Sequence, residues 1–86
     1  LVEIEVNLLW IMPKKIRELK QWLRQVGFTE LPGKGSHSNW IHPLYAGKLT
    51  VSGKDGADAK LYQEKDVKQA IKEVEEKQGQ EKQEYE

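Results

Sequence analysis

Two amphipathic stripes, separated by short β segments punctuated with turn residues, leave this chain few folds to choose from. Ile16, Leu19, Leu23 and Val26 recur at i, i+3, i+7 and i+10, with Trp22 on the margin of the stripe. Pro13 suits a first helical turn, where its missing N–H matters little, and Gly27 follows as a left-handed C-cap. The spacing therefore predicts a helix from Pro13 to Val26. Three strands are expected next, over Phe28–Leu31, His37–His42 and Lys48–Ser52. Pro32-Gly33-Lys34-Gly35, Pro43 with a turn at Ala46-Gly47, and Gly53-Lys54-Asp55-Gly56 end them in order. A second, narrower stripe of Val67, Ala70, Ile71 and Val74 predicts a helix from about Tyr62 to Glu76. Beyond Lys77 only Tyr85 has much to bury, so residues 77–86 read as an acidic, disordered tail.

That order implies an α+β fold: helix, three-stranded antiparallel sheet, helix, with both helices on one face of the sheet. Its core draws on Ile16, Leu19, Trp22, Leu23, Val26, Phe28, Leu49, Val51, Val67, Ala70, Ile71 and Val74, with Trp40 added from the middle strand. The opposite sheet face is left open, which favours a binding surface over a deep pocket. With 86 residues and no cysteine, the chain holds one small domain of marginal burial and no disulfide staple. A reducing, cytoplasmic setting is expected, with oligomerisation or a partner adding stability. The longest apolar run, Leu8–Met12, is far too short to span a bilayer, and Glu3 and Glu5 stand where a signal peptide would be basic.

The only methionine is Met12, which is expected to be the natural start, with residues 1–11 an upstream or added extension. Val2, Ile4, Val6 and Leu8 alternate with polar residues, so that extension reads as an added edge strand or as a means of exchange between chains in a homodimer.

Equal counts of 14 basic and 14 acidic residues conceal an uneven distribution. Residues 12–63 carry nine basic and four acidic side chains, and the acids gather in the flanks. Arg17, Lys20 and Arg24 lie opposite the apolar stripe of the first helix. Such a face can meet phosphates or be merely solvated.

Chemistry has few places to reside. Only His37 and His42 belong to the residue type that titrates near neutrality, and there is no thiol. In Gly33-Lys34-Gly35-Ser36-His37, two glycines allow close approach of a ligand, Lys34 and Ser36 can bind phosphate oxygens, and His37 stands beside them as a general base. The segment is not a P-loop, which needs Gly-Lys-Ser/Thr in succession. His37 and His42 are five positions apart, so a regular strand points them to opposite faces. This makes them poor zinc partners and a poor acid–base pair. Asp55 and Asp58 are too few for a calcium site. Trp40, the largest apolar group, places Ser38, Trp40 and His42 on the core face and His37, Asn39 and Ile41 on the open face. The reverse register would bury His37. His42, next to Pro43, is read as ordering the strand end.

The run Lys34-Gly35-Ser36-His37-x-x-Trp40-x-His42-Pro43 resembles the signature of the HicA family, toxins of type II toxin–antitoxin systems. Leu23–Phe28 and Leu49-Thr50-Val51-Ser52-Gly53 resemble the flanking family segments, and the likeness covers a HicA-like domain over residues 12–76. The resemblance implies a double-stranded-RNA-binding-domain-like fold and an mRNA interferase neutralised by a HicB-type antitoxin. It places the family's catalytic histidine on His37, acting without metal or cofactor on the ribose 2′-OH of single-stranded RNA. Lys34, Gly35 and Ser36 would then hold the phosphate, and Arg17, Lys20 and Arg24 would add salt-sensitive affinity. The extension, the Gly53–Lys60 connection, longer and more acidic than a minimal one, and the acidic tail depart from the family pattern, and no second general acid is evident. A non-catalytic RNA-binding module on the same fold and a small protein-interaction domain are the alternatives.

Overall fold

The structure, a computed structural model, describes residues 14–84. The first stripe forms helix α1, Ile16–Gln25, which buries Ile16, Leu19 and Leu23 on one side. Its C-terminus closes as a Schellman motif: Gly27 takes φ +98°, its N–H donates to Arg24 O, and the Phe28 N–H donates to Leu23 O. Strands β1 (Thr29–Pro32), β2 (Ser38–His42) and β3 (Tyr45–Val51) follow, and helix α2 (Leu61–Glu84) completes the fold. The sheet is antiparallel in the order β1-β2-β3. The expected α+β architecture is therefore the observed one.

Register fixes the two faces of the sheet. Glu30, Trp40 and Leu49 stand abreast, as do Leu31, Asn39 and Thr50. Trp40 is fully buried, with Ser38 and Val51 beside it, whereas Ile41 is 37% exposed. The core face is thus the one that Trp40's bulk demands. Both helices pack there, closing a cluster of Ile16, Leu19, Leu23, Phe28, Trp40, Leu49, Val51, Ala59, Val67, Ala70 and Val74. Trp22, Val26 and Ile71, expected in the core, sit at its edge, and the small Ala59 joins it.

Three features differ from the sequence reading. The Ala46-Gly47 pair is not a turn between strands but part of β3, which begins at Tyr45 after a turn at Pro43 and Leu44. A register shift between Trp40 and His42 absorbs the extra residues, and Gly47 takes φ +80° within it. Helix α2 does not stop at Glu76, nor do residues 77–84 form a disordered tail: the helix runs on to Glu84. Val74 is the last buried residue among the side chains described. Apart from Gly79, the turns beyond are built from Glu, Lys and Gln, strong helix formers that need no buried face to continue an existing helix. Residues 85–86, the extension 1–11 and Met12 lie outside the described residues.

The third difference explains the long connection from Gly53 to Lys60. Its carbonyls serve as the N-terminal cap of α1, which has no side-chain cap of its own. The Ile16 N–H donates to Ala57 O at 2.9 Å and the Arg17 N–H to Asp55 O at 3.1 Å, while the Ala59 N–H returns a bond to Lys14 O. Asp58 pairs with Lys15 at 2.6 Å beside this junction. At the far end Gln63, buried in the first turn of α2, accepts from the Lys60 N–H and donates to Ser52 O. Asp55 and Asp58, which the sequence left without a role, are structural. No helix among the described residues is long and apolar enough to cross a membrane.

Candidate functional site

The turn between β1 and β2 is held by the Lys34 carbonyl. It accepts the backbone N–H of His37 at 3.0 Å and the ring Nδ1–H of the same residue at 3.1 Å. A carbonyl only accepts, so the contact assigns the proton to Nδ1 and leaves a lone pair on Nε2. His37 is exposed and stands immediately before β2. Gly33 makes this turn possible: a Cβ there would lie 2.8 Å from His37 O, closer than backbone tolerates. Gly35 takes φ +59°, a left-handed conformation that favours glycine.

His42 is the counter-example. Its ring donates from Nε2 to Val26 O at 3.1 Å and accepts the Leu44 N–H on Nδ1 at 3.0 Å, so both nitrogens are occupied. The ring also lies against Phe28, 5.1 Å between centroids. His42 ties the end of α1 to the β2–β3 turn, as its position next to Pro43 suggested. The two histidines carry opposite tautomers and occupy different surroundings.

A groove of about 410 Å³ opens beside His37, with Gly35 and Ser36 on one wall, Gly53, Lys54 and Asp55 on another, and Lys20 reaching in from α1. Of the residues singled out from sequence, Lys20, Gly35, Ser36 and His37 line it together. Lys34 contributes its carbonyl, while its side chain stands outside the lining. Arg17 and Arg24 are not part of the wall. Arg24 instead bonds Glu30 at 3.1 Å and places its guanidinium 5.2 Å from the centre of the Trp40 ring.

Sequence reasoning missed Lys54 and Asp55. The signal available was a lysine between two glycine-flanked turn positions, which by itself reads only as a strand end. Lys20 is 13% exposed and bonds Asp55 at 2.8 Å. That hydrogen bond and the charge of Lys20 hold the Asp55 carboxyl below its ordinary value of 3.8. Because the folded value is the depressed one, the contribution of the pair is complete above pH 3.8 and fades as pH falls through the lower value. At neutral pH the groove's deepest cation is therefore already partnered by a displaceable carboxylate, while Lys54 has no ion-pair partner among the described residues.

A family model described as the HicA toxin of bacterial toxin–antitoxin systems matches residues 16–75. The chain belongs to the HicA toxin family. The match runs from the start of α1 to the last buried turn of α2 and contains the whole groove. No curated protein and no solved structure gives a match. A HicA toxin has a cognate antitoxin, so a protein partner is part of this chain's biology.

Proposed function

We propose that this HicA protein is a metal-independent endoribonuclease acting on single-stranded mRNA in the cytoplasm, with His37 as general base, held in check by a HicB-type antitoxin. One observation carries the reading. His37 lines an open groove with its Nδ1 anchored on the Lys34 carbonyl, and its Nε2 has no hydrogen-bond partner among the described residues. A base needs that arrangement: a free lone pair, and a ring kept from rotating. The step balances without a cofactor. Nε2 takes the proton of a ribose 2′-OH, the 2′-oxygen bonds to the adjacent phosphorus, and the bond from phosphorus to the 5′-oxygen breaks. Water returns a proton to the leaving oxygen. Products are a 2′,3′-cyclic phosphate and a 5′-OH.

Lys54, Lys20 and the Ser36 hydroxyl line the same groove and suit the charge that builds on the phosphoryl oxygens. Lys34, Gly35, Arg17 and Arg24 supply the surrounding turn and positive field, with Arg24 partly neutralised by Glu30. The absence of a second histidine at the groove argues for slow turnover, which suffices for a toxin that must only outpace RNA supply.

The test is incubation of the full chain with a labelled single-stranded RNA in EDTA. Fragments are expected to carry 5′-OH ends that a polynucleotide kinase can phosphorylate directly, and cyclic phosphates at the 3′ side. Fragments with 5′-phosphates, or none while RNA binds, would reject the proposed chemistry.

The Lys20–Asp55 pair gives a second expectation. Phosphate and Asp55 compete for one ammonium, so Asp55→Asn should strengthen RNA binding about two- to fivefold. The same change should steepen the dependence of log affinity on log salt by about 0.7, one further phosphate contact on a single strand. Filter binding across a salt series reads both. An unchanged slope would mean that Lys20 never engages RNA.

A further inference from the structure

We infer that Tyr62 is a stacking platform for a nucleotide neighbouring the cleaved bond, in a second groove that continues from the first. The inference rests on the RNA reading of the His37 groove. The second groove, about 340 Å³, shares Ser36 and Gly53 with the first and runs from them toward Tyr62 and Lys60. A chain leaving His37 along this wall passes directly from one to the other.

Tyr62 has no part in holding the fold. It is 58% exposed in the first turn of α2, and Leu61 beside it is 53% exposed. Its ring meets no other ring and its hydroxyl makes no hydrogen bond among the described residues. An aromatic face left open beside a nucleic-acid groove suits an unstacked base, because every base offers a π-face.

The charges agree. Lys54 lines the first groove and Lys60 the second, and neither has an ion-pair partner among the described residues. The one carboxylate in the second groove, Asp58, is neutralised by Lys15 at 2.6 Å. Two free ammonium groups flank a path whose acids, Glu30, Asp55 and Asp58, are each paired with a base. That arrangement fits a phosphodiester chain whose phosphates follow the lysines while one base lies on Tyr62. The first turn of α2 keeps the ring in place: Gln63, the next residue, is fastened to both Lys60 and Ser52.

The experiment compares RNA affinity of the full chain, Tyr62→Ala and Tyr62→Phe, each in a His37→Ala background that leaves the RNA intact. The probe is a short fluorescent single-stranded RNA, with a matched series carrying one abasic position at a time. Tyr62→Ala should bind about tenfold more weakly, and Tyr62→Phe should match the parent, since the phenyl face remains. One abasic position should weaken the parent by a similar factor and make Tyr62→Ala neutral, a coupling that a merely structural role would not produce. Equal binding by parent and Tyr62→Ala overturns the platform and leaves the His37 reading intact. Loss in both Tyr62 variants without coupling to any abasic position also overturns it. Binding that behaves as expected, beside a wild-type chain that cuts nothing, overturns the cleavage reading and leaves the platform standing. No binding by the parent overturns both.

Discussion

His37→Ala is expected to lower the RNA cleavage rate by about 10²- to 10⁴-fold, the range that a positioned general base contributes. Stability should stay within about 0.5 kcal/mol, because an exposed ring with one peripheral bond is being removed. The turn survives the change. The bond from the His37 N–H to Lys34 O is backbone, and Gly33 and Gly35 keep their conformations. RNA affinity should hold too, since the lysines that line the groove, Lys20 and Lys54, are untouched. Single-turnover cleavage, filter binding and a urea melt on the same preparation separate these quantities. His37→Gln sharpens the result: it retains a group able to reach Lys34 O but has no lone pair of comparable basicity. If glutamine cleaved as fast as histidine, proton abstraction by this side chain would be excluded, and the groove's catalysis would come from its cations alone.

The legibility of that residue from sequence has a definite source. A strand has period two, so once Trp40 was assigned inward by its bulk, Ser38 went with it and Asn39 and Ile41 went outward. The helical period marks α1 by the same kind of rule, and its three buried residues are three of the four in the predicted stripe. Features invisible to the rule depend on contacts distant in the chain. The pairing of Lys20 with Asp55 joins residues 35 apart, and that of Lys15 with Asp58 joins residues 43 apart. Nothing local to Gly53–Lys60 reveals that its carbonyls cap a helix belonging to the other end of the domain. Ala46-Gly47 failed for a different reason: a glycine at positive φ serves a bulge as readily as a turn, and local composition does not tell the two apart. The last turns of α2 carry no apolar stripe in the sequence, so hydrophobic periodicity does not mark them as helix. The groove itself was half legible. Gly35, Ser36 and His37 are contiguous in sequence, whereas Lys20 and Lys54 reach it from α1 and from the loop after β3, and Tyr62 lines the adjoining groove from α2.

Trp40→Ala should be the most destabilising single substitution in the chain, at about 3–5 kcal/mol. The ring is fully buried at the centre of the sheet. Its Nε1–H donates to Ser38 Oγ at 2.9 Å, and Ser38 in turn donates to Val51 O at 3.4 Å, so one indole links β2 to β3 through a short polar chain. Arg24 lies over the ring from α1. A domain of this size has a total stability on the order of 4–13 kcal/mol, so the loss is large enough to leave much of the variant unfolded. Trp40→Phe isolates the parts. It keeps most of the apolar volume, and the Ser38 hydroxyl retains its bond to Val51 O, so about 1–2 kcal/mol is expected from a smaller void and one missing hydrogen bond.

Denaturant melts monitored by circular dichroism measure both variants. The functional consequence follows from position: β2 begins one residue after His37, and the turn bearing the base is anchored by the strand that Trp40 holds down. Trp40→Ala should therefore lose RNA binding in step with folding, whereas His37→Ala should lose only cleavage. A Trp40→Ala melt coincident with the parent would mean that the sheet packs in the other register, with His37 inward, and the proposed base would lose its access to RNA along with it.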